Sequence, residues 1–206
     1  PAMRITPESA SRFILDNTSL FAPPHVPDIR LHLSDEAFDL WKRTEEELEA
    51  IGLPPPFWAF AWAGGQGLAR YILDNPQVVR GLSVLDFASG SGLVGIAALK
   101  AGAASVRACD IDPFAAAAAR LNAAANAVAL PFEAADPIGT VPDCDVLLAG
   151  DVFYDRVLAD RLLPWFRALA AAGTTVLIGD PGRAYLPKEG LERRAVFTVP
   201  VTRALE

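Results

Sequence analysis

The chain has 206 residues, a formal net charge of −7 at neutral pH and a mean hydropathy of +0.27. That is long enough for one domain with a sizeable core plus a small appendage, and too apolar for a disordered chain. The acidic balance argues against a broad nucleic-acid footprint, and the apolar runs are too short to cross a bilayer.

Thr6 and Pro7 read as the N-cap and first position of a helix through "TPESASRFILDNTSL", with Phe13, Ile14 and Leu20 turned inward. The proline-rich "APPHVP" then leads into "IRLHL", a short strand over 29–33. Ser34 caps a helix through "DEAFDLWKRTEEELEAIG", where Phe38, Trp41, Leu48 and Ile51 share a face. Its acidic remainder, Glu45, Glu46, Glu47 and Glu49, is a solvated face or a docking surface for a basic partner. Gly52 and the prolines at 54–56 close this unit, so residues 1–55 are expected to form a mainly helical extension and 56–206 the main domain.

Aromatics alternate at Trp58, Phe60 and Trp62, two glycines follow, and a helix runs to about Leu73. Strand and helix patterns then alternate. "LSVLDFA", "SVRACDID", "LPFEAAD", "CDVLLAGDVFY", "TTVLIGDP" and "RRAVFTVPV" read as six strands. "GLVGIAALKAGA", "PFAAAAARLNAAANA" and "LADRLLPWFRALAAAG" read as helices, the last bent or split by Pro164. This alternation predicts a mostly parallel, doubly wound α/β sheet with its ligand at the carboxyl ends of the strands.

Cys109 and Cys144 lie apart in apolar surroundings and read as reduced core residues. His25 and His32 are the only histidines and belong to no ligand cluster, so no metal site is expected. "PAMRITPESA" lacks the long apolar stretch of a signal peptide, and a soluble cytoplasmic protein is the expectation.

"DFASGSGLVG" contains G-x-G-x-x-G at Gly90, Gly92 and Gly95, a pattern that by itself points to a dinucleotide. The charge of Asp86 argues otherwise. Two like charges about 5 Å apart repel by roughly 3 kcal/mol at an effective dielectric near 20. A carboxylate there suits a cation, as in S-adenosylmethionine, with its sulfonium and α-ammonium. The loop Ala88, Ser89, Gly90 and Gly92 would then touch the amino-acid part of that ligand, and Trp62 would flank it. Asp110 closes the second strand and would accept the ribose hydroxyls, as it would in either cofactor class. Ile111 would flank the adenine and Asp136 would accept its amino group, although Asp136 also reads as a turn residue before Pro137. Asp112 reads as a helix cap.

The fourth strand runs into "GDVFYD", placing Asp151 and Tyr154 beside the methyl group. This is neither N-P-P-Y nor D-P-P-Y, which points away from amide or adenine amino groups and toward a more basic nucleophile. A lysine amine attacks only when neutral, and its free pKa is near 10.4. Asp151 would position the amine and Tyr154 would hydrogen-bond it. Trp58, Trp62 and Phe153 would form an aromatic wall tolerant of methylated ammonium, or the 58–62 aromatics would simply pack under the sheet edge. Asp180 and Arg183 in "GDPGRAY" follow the fifth strand on the same ligand face, Arg183 as a substrate contact or a structural ion pair.

Together, "WAFAWAGGQGLARYI", "VLDFASGSGLVGIAA", "ACDIDPFA", "GDVFYD" and "GDPGRAYLP" resemble the protein-lysine methyltransferase branch of the seven-β-strand methyltransferases. The likeness is greatest to the enzymes acting on the electron-transfer flavoprotein β subunit, and it covers about 55–205. It implies a Rossmann-like class I sheet ordered 3-2-1-4-5-7-6. It also implies methyl transfer from S-adenosylmethionine, leaving S-adenosylhomocysteine, to lysines of a protein partner, the flavoprotein β subunit. In that branch an acidic-x-x-aromatic motif after the fourth strand is functional, and Asp151-Val152-Phe153-Tyr154 matches it. A monomer without nucleic-acid or membrane partners is expected. A ribosomal protein or a small amine or pyridine is the alternative substrate, and a non-catalytic binding module or a nicotinamide-dependent oxidoreductase the alternative class. The branch also has a seventh strand for which no segment remains after "RRAVFTVPV", so a short C-terminal piece is expected to be missing.

Overall fold

The computed structural model describes residues 4–34, 46–50, 52 and 55–200. Helix α1 (Pro7–Asn17) starts from a reciprocal capping box in which Thr6 and Ser9 exchange hydroxyl and main-chain hydrogen bonds of 2.9 and 3.1 Å. It stops short of Leu20, correcting the longer helix expected: Thr18 turns extended and its hydroxyl donates to the Ile14 carbonyl at 2.6 Å. Leu20 instead lies in β1 (Ser19–Phe21), antiparallel to β2 (Leu31–Leu33), and is partly exposed.

The main sheet is five-stranded and wholly parallel. It comprises β3 (Ser83–Phe87), β4 (Ser105–Cys109), β5 (Phe132–Glu133), β6 (Val146–Gly150) and β7 (Thr175–Gly179), ordered β5-β4-β3-β6-β7. The strand order reverses between β3 and β6, the switch point at which open α/β sheets bind ligands. Helices α2 (Ala63–Asp74), α3 (Leu93–Lys100), α4 (Pro113–Ala125) and α5 (Arg156–Ala171) complete the α/β layers. Period-2 alternation divides the core. Val84, Val146 and Leu148 face the cluster built with α2 and α3, while Leu85, Phe87, Leu147 and Ala149 face the α5 side with Trp165 and Phe166. This is the Rossmann-like α/β class expected from the sequence.

Three expectations change, and a fourth is only partly covered. The third strand shrinks to two residues, Phe132–Glu133, preceded by Pro131 with no amide to donate, and Asp136 sits in the loop beyond rather than at a strand end. Residues 191–200 form no strand: Phe197 packs edge-on to the His25 ring at 5.3 Å and against α2 beside Gly67. Strands six and seven of the expected order are thus not formed among the described residues. Pro164 neither splits nor ends α5, which runs unbroken through it. Of the acidic helix, 46–50 are helical with Leu48 buried, whereas Phe38, Trp41, Glu45 and Ile51 lie outside the described residues.

Candidate active site

A cavity of about 300 Å³ opens at the carboxyl ends of β3, β4 and β6. Its two bordering helices begin without a side-chain cap of their own: Trp62 precedes α2, and Gly92, in the left-handed region at φ 85°, precedes α3. Distant carboxylates cap them instead. Asp86, 2% exposed, accepts the Gly95 N–H at 2.9 Å in the first turn of α3. Asp151 accepts the Gly64 and Gly65 N–H groups of α2 at 3.0 and 2.7 Å. Each carboxylate satisfies main-chain donors that a helix start leaves free and meets the positive end of the helix dipole. By contrast α4 and α5 carry local caps, Asp112 to Phe114 N–H at 2.9 Å and Asp155 to Leu158 N–H at 2.8 Å.

Burial pushes the Asp86 carboxyl up to about 7, against the Gly95 amide that pulls it down. Asp110 follows β4 and lines the same cavity; it accepts Gly90 and Asp112 N–H at 2.9 and 3.0 Å, and burial raises its carboxyl too. Asp112 is likewise pushed up to about 7, mainly by burial. Cys109, behind the loop, is an inert thiol that burial pushes up to about 12.

In the loop between β3 and α3, Ala88 and Gly90 both take φ 52°. Ser89 lines the cavity, and its buried hydroxyl has no hydrogen-bond partner. Such a polar atom is costly unless a ligand satisfies it. The donor set therefore fits a small zwitterionic ligand: an orphaned hydroxyl, carboxylates of Asp86 and Asp110, and a helix start already occupied by an internal anion. Ile111, 73% exposed, lines the rim with Ile138. Asp136 is there too, but its carboxylate accepts the Ile138 N–H at 3.1 Å and pairs with Arg161 at 2.9 Å, making a turn and a salt bridge.

The far side is built around Asp151, held at φ 58°. Its Oδ1 also accepts Arg183 Nε and Nη2 at 3.2 and 2.8 Å, while its own N–H donates to the Gly179 carbonyl at 2.8 Å. The Arg183 guanidinium lies 5.6 Å from the Trp62 ring centre. Half-exposed Tyr154 lines the cavity, tilted at 5.3 Å from Phe57, which in turn stands edge-on to Trp62 at 5.8 Å. Partial burial pushes the Tyr154 phenol up.

Two expected substrate residues, Phe153 and Asp180, are placed elsewhere. Phe153 is fully buried against Phe166 and does not line the cavity, although its neighbours Val152 and Tyr154 do. Trp58 does line the cavity, as expected, with its fully buried ring stacked at 5.8 Å on Phe114. Asp180 does not line the cavity; its Oδ1 accepts Gly182 and Arg183 N–H, both at 2.7 Å, and so shapes the loop that carries Arg183. Phe57, Trp62 and Tyr154 join Trp58 in the aromatic wall. Phe57 was missed because alternation assumes a strand, whereas 57–59 form a 3-10 turn. No local signal links Arg161 to Asp136.

The family model of ribosomal protein L11 methyltransferase (PrmA) matches residues 70–173. The electron transfer flavoprotein beta subunit lysine methyltransferase of Xenopus laevis is 48% identical over 176 residues, covering 84% of this chain and 70% of that protein. The chain belongs to this lysine methyltransferase family. Two solved structures are similar over about half of the chain. A ribosomal protein L11 methylase from Lactobacillus delbrueckii subsp. bulgaricus is 30% identical, with 54% of this chain and 55% of that one covered at a TM-score of 0.44. A SAM-dependent methyltransferase from Thiobacillus denitrificans in complex with S-adenosyl-L-homocysteine is 21% identical, with 53% and 44% covered at 0.43. Family membership makes the protein a protein-lysine methyltransferase. Among the described residues no group of three or more His, Cys, Asp or Glu side chains is placed to hold a metal, and no helix is long and apolar enough to cross a membrane.

Proposed function

We propose that the protein methylates lysine side chains of the electron-transfer flavoprotein β subunit, with S-adenosylmethionine as donor. The similarity to the Xenopus laevis enzyme over 84% of the chain carries this reading. S-adenosylmethionine supplies, when bound, a methyl group made electrophilic by a sulfonium. Ser89, Gly90 and Gly92 would hold its amino-acid part, Asp86 would face its positive charge, Trp62 would flank it, and Asp110, Ile111 and Asp136 would serve the nucleoside end. The cap that Asp86 gives α3 favours this ligand over a dinucleotide, since an internal carboxylate already holds the amide that a pyrophosphate would seek.

The chain's own part in the reaction is placement and exclusion of water. Phe57, Trp62 and Tyr154 form an apolar channel that takes a lysine stem and tolerates a methylated head. Tyr154 hydrogen-bonds the amine. Asp151 fixes the wall by joining α2, β6 and the loop after β7. Residues 1–55 would serve as an extension to 56–206, and Ala10 and Ile14 share a cluster with Phe114 and Trp58. The decisive experiment transfers labelled methyl groups to purified electron-transfer flavoprotein and identifies the modified residue by mass spectrometry. Label on β-subunit lysines supports the reading; label only on a small molecule or nucleic acid overturns it. The match to the ribosomal protein L11 methyltransferase family model supports a second reading, a ribosomal protein target. Label in a ribosomal protein and none in the flavoprotein selects it.

A further inference from the structure

Asp151 is the best-partnered carboxylate of the cavity. It accepts two main-chain amides and a guanidinium fork, and its side chain is 9% exposed. The fork is set by its own loop, where the Arg183 N–H is fixed by Asp180, and its open face lies on Trp62. A lysine could not reproduce this planar two-nitrogen contact. Among the described residues, Cys109, Asp112, Asp136 and Arg161 line the same cavity. Tyr154 lies on the turn after β6 and Asp180 on the loop after β7, while Asp86 and Asp110 stand at the ends of β3 and β4. The start of α2 offers only main-chain amides and the Trp62 ring.

An unpaired carboxylate beside an incoming lysine would hold it as ammonium, raising its pKa by about 1–3. Ammonium has no lone pair with which to attack. We infer that Arg183 is a positioning residue that neutralises Asp151, so that the enzyme takes its lysine as the free amine. The lysine nitrogen gives its proton to water on entry. Its lone pair then forms the N–C bond as the C–S bond of the donor breaks, and the sulfur keeps that bonding pair and loses its charge. The inference rests on the proposed lysine methylation.

The test is calorimetry of electron-transfer flavoprotein binding to the protein saturated with S-adenosylhomocysteine, at pH 7 in two buffers of different ionisation enthalpy. The wild type should release about one proton per lysine bound, and Arg183→Gln close to none. In parallel, the rising limb of the kcat/KM profile for Arg183→Gln should move up by about one pH unit or more, a tenfold or greater loss at pH 7. Arg183→Lys keeps the charge and should retain the proton release. The double variant Arg183→Gln, Asp151→Asn should restore it. Should Arg183→Gln fail to bind S-adenosylhomocysteine, Asp151→Asn serves alone: its limb should stay or fall, and a limb that rises overturns the inference. Proton release and limb unchanged in a folded Arg183→Gln overturn the inference alone. A wild type that methylates no lysine overturns the functional reading and the inference with it.

Discussion

The Asp86 carboxylate and the Gly95 backbone are built around each other: the N–H donates at 2.9 Å, and a Cβ on Gly95 would stand 2.9 Å from the same oxygen. Gly95 therefore serves α3 packing. Gly95→Ala must push Asp86 or Leu130 aside, costing about 1–3 kcal/mol of stability. It should also weaken S-adenosylmethionine binding. Denaturant titration and calorimetry on the same preparation check both effects.

Asp86 makes ligand binding and stability depend on pH in opposite senses. Its folded value, about 7, lies above the ordinary 3.8. The folded state thus holds the proton longer, and stability without ligand falls as pH rises from about 4 to 7, then levels. Asp86→Asn removes that loss and should be more stable than wild type at pH 8, by up to about 4 kcal/mol. The wild type should bind S-adenosylmethionine more tightly as pH rises to about 7, because only the ionised carboxylate answers the ligand's charge. The variant should lose that dependence; thermal melts and titrations at pH 5 to 8 measure both.

Gly64 and Gly67 lie on the same helix in different surroundings. A Cβ at Gly64 would collide with the Gly179 carbonyl and reach Asp151 Oδ1 at 2.7 Å, whereas at Gly67 it meets only Phe197, at 3.7 Å. Gly64→Ala should lower stability and abolish methylation. Gly67→Ala should be neutral or stabilising, by up to about 1 kcal/mol from helix propensity. Paired melting curves and methyl-transfer rates separate the two.

Phe153 and Tyr154 are neighbours with different tasks. Phe153→Ala empties a core position and should cost about 3–5 kcal/mol. Tyr154→Phe should melt like wild type and lose about tenfold in kcat through one hydrogen bond. A Tyr154→Phe enzyme of full activity would remove the phenol from the mechanism.

What could be read from the sequence was local. The helix starts at Thr6 and Asp112 announce themselves within three residues, and the strand–helix alternation gives the parallel sheet. The Asp86, Gly90 and Asp110 cluster is legible because each lies at or beside the end of a buried strand. The caps that shape the cavity are not local: Asp86 reaches nine positions along the chain to Gly95, and Asp151 reaches 87 back to Gly64. No window of sequence holds that pairing. The same limit explains Phe57, which a 3-10 turn brings to the cavity beside Trp58 although alternation assigns them opposite sides. It also explains 191–200, whose strand-like composition is spent on packing Phe197 against α2 and His25.

The clamp at Asp151 has a consequence for folding. It joins chain segments at 64–65, 151, 179 and 183, so the whole cavity needs the chain from 57 to 183. Such long-range closure comes late, after the loops between have been ordered. Ligand binding is then coupled to the cooperative unit as a whole. A ligand at 100 times its Kd should stabilise the entire domain by about 2.7 kcal/mol. Amide exchange should slow alike in α2, β6 and the 180–183 loop, elements that share no neighbouring sequence and protect one another only when all are in place.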